Sequence, residues 1–253
     1  MKKPHLKILI TILILLMLGT LSVPFSKYFG IATHSQLTKT EVVKNNLPRV
    51  IPDSETIKAP DLQDVINAYG KQNNAAIGQI VAPSVSVSQP IFVGLTKDNM
   101  AQGTVSLFPK RDPSQQTLTV IGHHVQYDSS LLFGGVQELK KDAEIYIRYF
   151  DKYYVYKVES NRIIKETDLE ALQDKGANYL YLITCNTATQ TPYRVLVTAK
   201  KVTVPSQHLQ ASFTHEQKVI KEAHTKSYWI KFLLPLFITL VMTVLFLIYI
   251  WKL

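Results

Sequence analysis

The sequence predicts a mainly β domain held between two apolar helices. From about residue 76 to residue 204 the chain contains many short runs rich in Val, Ile, Tyr and Thr, separated by polar turns. Long, nearly uncharged stretches lie towards both ends of the 253-residue chain. Many short strands with few helices indicate a β-sandwich or a closed β-barrel of roughly 130 residues.

The first apolar stretch, 8–25, follows Lys2, Lys3 and Lys7 and predicts a membrane anchor over residues 1–27. A signal peptide is the main alternative, because the stretch is at the short end of the roughly 17 to 25 residues that span a bilayer. The stretch lacks a good small-x-small cleavage site, which favours an uncleaved anchor. The lysines before it favour a cytoplasmic N-terminus, so the chain that follows is expected outside the cell.

Residues 28–75 are predicted to form an extracellular stalk, because they are mostly polar and show no sustained period. The exception is 61–69, where apolar residues recur at helical spacing and predict a short amphipathic helix.

The β domain is predicted over residues 76–205. The strand-like runs are 77–81, 90–93, 117–121, 143–150, 153–159, 179–184 and 193–204. Asp151 and Lys152 lie between two of these runs and indicate a tight hairpin connection.

A basic linker, 206–227, and a C-terminal transmembrane helix, 228–253, complete the predicted order. Residues 232–251 carry no charge and are bracketed by aromatic side chains of the kind found at membrane interfaces. A buried helix of a soluble core is a poor alternative for so uniformly apolar a stretch. Four lysines between 218 and 231 precede this helix and one follows it, against the usual charge rule, which weakens for long translocated domains.

The formal net charge of +9 and the pI of about 9.4 indicate a basic surface on a folded core. Such a surface suits a lipid bilayer with anionic headgroups or an anionic wall polymer. No nucleic-acid partner is expected.

Cys185 is the only cysteine of the chain and ends the strand-like run 179–185. Taken alone, such a thiol is most often a buried, inert hydrophobe. Arg194 begins the next strand across a short polar connection, so the two residues lie at the same end of a hairpin. A reactive thiol needs neighbours that favour the thiolate, which arginine and histidine supply. His123 and His124 end another strand, although their placement beside Cys185 does not follow from spacing.

Three segments, Val120-Ile121-Gly122-His123, Leu182-Ile183-Thr184-Cys185 and Arg194-Val195-Leu196-Val197, resemble those of sortases, the cysteine transpeptidases of Gram-positive surfaces. The resemblance covers roughly residues 76–204. It implies a closed eight-stranded β-barrel, flanked here by N- and C-terminal transmembrane helices, with the catalytic domain outside a Gram-positive cell membrane.

The resemblance also implies roles for three residues. Cys185 would be the nucleophile, His123 the acid/base partner and Arg194 the cation that holds the substrate and stabilises the oxyanion. Neighbouring side chains of an extended strand point to opposite faces, so only one of His123 and His124 can face Cys185. The family pattern selects the residue directly after glycine, His123.

The substrate implied is an LPxTG-like sorting signal, cleaved between threonine and glycine to give a thioester that passes to an amine. The partners would be surface proteins that carry such signals, with a peptidoglycan precursor or a pilin amine as the acceptor. Thr184, Ile164 and Leu169 are the expected substrate-binding residues. The alternative that the loop residues Ile164 and Leu169 only pack the loop onto the barrel stays open.

Departures from the family pattern refine the class. The loop before the histidine strand is mainly basic, so no calcium site, other metal or cofactor is expected. No Asp-Pro-aromatic lid motif precedes the barrel, which favours a class A-like enzyme that anchors surface proteins to the wall. The C-terminal apolar helix instead resembles pilin-polymerising sortases. A cysteine peptidase or amidase and a non-catalytic wall-binding barrel are the remaining alternatives.

Overall fold

Eight β-strands form a closed barrel in the order β1-β2-β3-β4-β7-β8-β6-β5. The computed structural model describes residues 4–37, 76–125, 128–189 and 191–252, together with 41–44, 47, 51, 54, 64, 65 and 67. Closure leaves no free sheet edge, and it decides between the sandwich and the barrel in favour of the barrel. The strands are β1 Gly78–Ala82, β2 Val87–Val93, β3 Thr104–Ser106, β4 Leu118–Gly122, β5 Glu144–Tyr149, β6 Lys152–Lys165, β7 Tyr179–Cys185 and β8 Tyr193–Lys201.

Two parallel pairings, β2 with β3 and β4 with β7, bring together strands that are distant in sequence. The other six pairings are antiparallel. β3 has three residues, which is too short to show a period of two, so the sequence pattern did not reveal it.

Side chains alternate between the barrel interior and its outer face. On β4 and β7 the interior positions belong to one large core cluster, Leu118, Val120, Leu180 and Leu182. The alternate positions form a second cluster on the outer face, which contains Tyr181, Ile183, Leu196, Ile164 and Leu172. Strands buried on both faces read as nearly continuous apolar runs, as 179–184 does.

In the described ranges of more than a few residues, four α-helices accompany the barrel: α1 Pro4–Ala32, α2 Lys97–Gln102, α3 Ser206–Tyr228 and α4 Leu234–Lys252. Two helical segments, Pro4–Gln36 and His208–Lys252, are long and apolar enough to cross a membrane. The predicted stalk begins at 28, whereas α1 continues to Ala32 and then through a π-helical turn, Thr33–Leu37. The predicted helix over 61–69 lies mostly outside the described residues.

The structure differs from the predicted linker at 206–227, where helix α3 packs along the barrel. Phe213 and Ile220, two helical turns apart, contact Val81 in a small apolar cluster. Further along the helix the His224 ring bonds to the carbonyl oxygen of Ser86 at 2.8 Å. The sequence did not predict this helix, because its apolar stripe is narrow and exposed lysines dominate the composition of the segment.

The two terminal helices pack together against the loop that follows β4, at a place here called the helix junction. It comprises Phe29 of α1, Tyr228 at the end of α3, Phe232 in the π-helical turn between α3 and α4, and Val125 and Leu131 of the loop. Because β4 ends just before this loop, the junction lies at the barrel end where β4 and β7 finish and β8 begins.

Polar contacts also tie this loop to the terminal helices. The Lys231 ammonium donates to Asp128 Oδ2 at 3.0 Å, and the Gln36 side chain donates to the carbonyl oxygen of Ser130 at 3.0 Å. The loop after β4 is therefore held by both ends of the described chain.

Candidate active site

Strand register places His123, Cys185 and Arg194 in one row across three neighbouring strands. β4 and β7 run parallel with Ile121 opposite Ile183, so two further residues along each strand bring His123 beside Cys185. On the other side of β7, Cys185 lies directly opposite Arg194 of β8. Residues opposite each other in such a pair have Cβ atoms about 5 Å apart. Cys185 therefore lies between the imidazole and the guanidinium.

The row lies on the outer face of the barrel. Ile183 and Leu196, two positions before Cys185 and two after Arg194, belong to the outer cluster, and side chains two residues apart share a face. The connection between β6 and β7, which contains a short 3-10 helix, Leu169–Leu172, packs over this cluster through Leu172. A substrate on this face would lie between the barrel and that loop.

Cys185 is a free thiol and is partly buried. Burial raises the pKa of the thiol, the positive charge of Arg194 opposes that rise, and the carboxylate of Glu166 adds to it. The thiol form therefore dominates near neutral pH, and the nearby cation is what favours the thiolate.

His123 is 6% exposed, and burial lowers the pKa of its imidazole to about 4. The ring is therefore neutral near pH 7 and gains a proton only when a nearby negative charge compensates for the loss of water. Its backbone is fixed, because the Phe133 amide donates to the His123 carbonyl oxygen at 2.9 Å.

Gly122 allows this close packing. A Cβ atom at position 122 would lie 2.6 Å from the Cβ atom of Phe133, which is fully buried in the core. The glycine before His123 is therefore explained by the packing of Phe133 against the backbone at position 122.

The His124 side chain lies outside the row of His123, Cys185 and Arg194 and contacts the backbone of Cys185. Its Nδ1 atom lies 3.1 Å from the carbonyl oxygen of Cys185. A carbonyl only accepts hydrogen bonds, so Nδ1 carries the proton in this contact. The ring braces the end of β7.

Described residues make three hydrogen bonds with the Arg194 guanidinium. Nη2 donates to Glu166 Oε2 at 2.5 Å in an ion pair, and Nη1 donates to the carbonyl oxygens of Thr191 and Tyr193 at 2.5 and 2.9 Å. Glu166 was missed by sequence reasoning. Its proximity depends on the β6–β8 pairing, in which Lys165 lies opposite Tyr193, and no local pattern shows that pairing.

The three expected substrate-binding residues have different surroundings. Ile164 lies opposite Arg194 in the β6–β8 register and belongs to the outer cluster, so it adjoins the row. Leu169 is 72% exposed in the 3-10 helix of the covering loop. Thr184 is 1% exposed and alternates with Cys185, so its side chain points away from the outer face. The structure therefore does not support a side-chain contact between Thr184 and a substrate on that face.

Asp174 fastens the covering loop to the loop before β4. Its carboxylate accepts from the Thr117 amide and the Gly176 amide at 2.8 Å each, and from the Gln116 side chain at 3.0 Å. These bonds lower the pKa of Asp174 to about 2. Within the described ranges, no three His, Cys, Asp or Glu side chains come together as a metal site would require.

Comparison with known proteins identifies the family. The Sortase domain model matches residues 80–202. A sortase-like protein of Bacillus subtilis, YwpE, is 37% identical over 81 residues, which cover 32% of this chain and 78% of that relative. The chain belongs to the sortase family. Sortases are cysteine transpeptidases, so this sortase is an enzyme of that class.

Other sortases align over longer stretches at lower identity. Sortase A of Listeria monocytogenes is 29% identical over 191 residues, which cover 72% of this sortase and 86% of the relative. Sortase A of Streptococcus agalactiae is 26% identical over 172 residues, 66% of this sortase and 69% of the relative. The solved structure of the Listeria monocytogenes enzyme aligns with a TM-score of 0.49 at 27% identity, over 51% of this sortase and 89% of that chain.

Proposed function

We propose that Cys185 is the nucleophile of this sortase, with His123 as its acid/base partner and Arg194 as the cation that stabilises the oxyanion. The observation that carries the proposal is the row of these three side chains on adjacent strands. A cysteine transpeptidase needs a cysteine, and this chain has one. The neutral imidazole and the partly buried thiol then form their reactive ion pair by moving one proton from Cys185 to His123.

In the first half of the reaction the Cys185 thiolate attacks the carbonyl carbon of the threonine in the signal. A carbon–sulfur bond forms, and the oxyanion lies beside the permanent positive charge of Arg194. The His123 imidazolium donates its proton to the departing glycine nitrogen as the carbon–nitrogen bond breaks. A thioester on Cys185 and a free amine result.

In the second half an incoming amine attacks the thioester carbon. Neutral His123 accepts the proton that the amine loses, the new amide bond forms, and the Cys185 thiolate leaves. The sulfur then recovers the proton from His123, which restores the neutral pair. Burial of His123 favours the steps in which the ring gives up its proton, to the departing glycine nitrogen and to the sulfur, because it lowers the pKa of the imidazole.

The substrate we propose is an LPxTG-like sorting signal on a surface protein. The outer cluster and the covering loop are apolar where they pack together, which suits the leucine and proline of such a signal, and Ile164 adjoins the row there. Leu169 is exposed enough to contact the signal from the loop. A peptidoglycan precursor is the proposed acceptor, as the resemblance of the barrel to class A-like sortases implies.

We place the barrel outside a Gram-positive cell membrane, anchored by both apolar helices. The length and composition of Pro4–Gln36 and His208–Lys252 support anchoring, and the lysines before the first stretch support a cytoplasmic N-terminus. A pilin-polymerising role is the second candidate, favoured by the C-terminal apolar helix. The two roles differ in the acceptor amine.

The test uses the full chain in detergent micelles with a labelled LPxTG-like peptide and triglycine as the acceptor. Mass spectrometry is expected to find the peptide on Cys185, and the glycine product is expected to form. Cys185→Ala should abolish both, His123→Ala nearly so, and His124→Ala should have a much smaller effect. Equal loss in the two histidine variants would contradict the assignment of His123.

The remaining alternatives give different results in the same assay. Hydrolysis unaffected by triglycine indicates a peptidase or amidase, and a strong preference for a lysine side chain as acceptor indicates pilin assembly. A Cys185 that reacts with a thiol reagent only after denaturation indicates a non-catalytic barrel.

A further inference from the structure

The guanidinium of Arg194 is held from one side by its own protein. Nη1 uses both of its hydrogens on the carbonyl oxygens of Thr191 and Tyr193, and Nη2 uses one on Glu166. An arginine has five N–H donors. Two of them, on Nε and Nη2, have no partner among the described residues and remain for a substrate.

The carbonyl oxygens and the carboxylate differ in how firmly they set the plane of the guanidinium. Thr191 and Tyr193 lie within three residues of Arg194 along the chain, so their bonds to Nη1 move with it. Glu166 is the first residue of the covering loop, and its amide donates to the Pro192 carbonyl oxygen at 2.9 Å. Its bond to Nη2 is therefore the one that ties the guanidinium to a different strand connection.

We propose that Glu166 is a positioning residue for Arg194, which orients the guanidinium so that its Nε and Nη2 hydrogens face the carbonyl oxygen of a substrate bound at Cys185. The inference rests on the proposed role of Arg194 in the reaction. Glu166 does not touch the reacting atoms, and it acts through the hydrogen bond to Nη2.

The negative charge of Glu166 acts against the proposed chemistry of the site. The Glu166 carboxylate offsets part of the positive charge of Arg194, and it is one of the groups that raise the pKa of Cys185. Among the described residues, the charged or titratable groups around Cys185 are Arg194 of β8, Glu166 of the covering loop, His123 just after β4, and His124, whose ring contacts the Cys185 carbonyl oxygen. A residue present only for its charge would therefore slow catalysis, whereas a positioning residue accelerates it despite its charge.

Two variants of the full chain in detergent micelles separate geometry from charge. Glu166→Gln keeps an oxygen that can accept from Nη2 but loses the charge, and Glu166→Ala loses both. Glu170→Ala is the matched control, because Glu170 is an exposed glutamate of the same loop. The measurements are kcat and KM for transfer of the labelled peptide to triglycine, and the pH dependence of Cys185 alkylation by iodoacetamide.

Glu166→Ala is expected to lower kcat/KM by on the order of 10-fold, as loss of one oriented transition-state contact would. Glu166→Gln should stay within about 3-fold of the unsubstituted enzyme and alkylate at lower pH, because the thiol pKa falls when the negative charge is removed. Glu170→Ala should match the unsubstituted enzyme in both assays. Glu166 is half exposed, so all variants should keep the near-ultraviolet circular dichroism of the folded barrel.

Two results would overturn the inference: a kcat/KM for Glu166→Ala equal to that of Glu170→Ala, or a rise in kcat/KM in both Glu166→Gln and Glu166→Ala. The first means that the contact orients nothing, and the second that the carboxylate affects the site only through its charge. Arg194→Ala is the arm that tests the proposed function. If it keeps full activity, the role of Arg194 is wrong; if it loses activity while Glu166→Ala does not, only the inference about Glu166 fails.

Discussion

Acidification below neutral pH is expected to destabilise the barrel through His123. The imidazole is buried and its pKa lies at about 4, below the ordinary value of 6.5. The unfolded chain therefore binds a proton more readily than the folded one. The stabilisation due to a neutral His123 is complete above pH 6.5 and is lost as the pH falls towards 4.

The size of the effect follows from the gap of about 2.5 pH units between the two pKa values. At 1.36 kcal/mol per unit the full loss is about 3 kcal/mol, and about 2 kcal/mol of it is lost by pH 5. That is a large share of the 5 to 15 kcal/mol that typically stabilises a domain. Carboxylates titrate in the same range, so the contribution of His123 has to be isolated by substitution.

The assay is unfolding of the full chain by guanidinium chloride in detergent micelles at pH 7 and pH 5. Near-ultraviolet circular dichroism of the barrel tyrosines reports the transition. The free energy of unfolding should fall by about 2 kcal/mol more between these pH values in the unsubstituted protein than in His123→Asn, which keeps a polar side chain but does not titrate. His208→Asn, which removes an exposed histidine of α3, is the control. Equal pH dependence in all three proteins would refute the assignment of a buried, neutral imidazole at position 123.

Three further predictions concern the surroundings of the row. Gly122→Ala is expected to destabilise the barrel by about 1 to 3 kcal/mol and to lower activity, because the new methyl group overlaps Phe133 beside His123. An unchanged melting temperature would contradict this packing. Asp174→Asn should cost at most about 1 kcal/mol and increase proteolysis of the covering loop, because the bonds from the Thr117 and Gly176 amides to Oδ1 lose their charge and the Gln116 side chain loses its acceptor, Oδ2. Limited digestion against the unsubstituted protein measures this. Lys231→Met should lower the free energy of unfolding by less than about 1 kcal/mol, because the ion pair with Asp128 is partly exposed. A larger decrease, measured by thermal melting, would show that the ion pair is stronger than its exposure indicates.

Local sequence was enough to predict the strands with strong periodicity. It also predicted that Cys185 and Arg194 lie at the same end of a hairpin. Both residues flank one short connection, and antiparallel neighbours of this kind have few alternative registers. His123 was different, because its place beside Cys185 depends on the parallel pairing of β4 with β7 across two intervening strands. Only the family resemblance supplied that contact in advance.

Neither helix α3 nor the contact between Glu166 and Arg194 could be predicted from local sequence, and each has its own physical reason. The stripe of Phe213 and Ile220 is only one residue wide, and exposed lysines around it dominate the composition. Glu166 lies beside Arg194 because a bulge near Val158 and Ser160 shifts the register of β6 against β8. A shift of one residue in a strand reverses every side chain that follows, and the sequence shows no mark of where it occurs.

The position of the helix junction has a consequence for how the site meets its substrates. Val125 follows His123 by two residues and packs among the ends of the two terminal helices, while Lys231 holds Asp128 in the same loop. The row of His123, Cys185 and Arg194 and the apolar helices therefore share one end of the barrel. With those helices in a bilayer, Cys185 would lie at the barrel end nearest to the membrane surface. Substrates that are themselves held in that membrane would then meet the thiol by lateral diffusion, without leaving the surface.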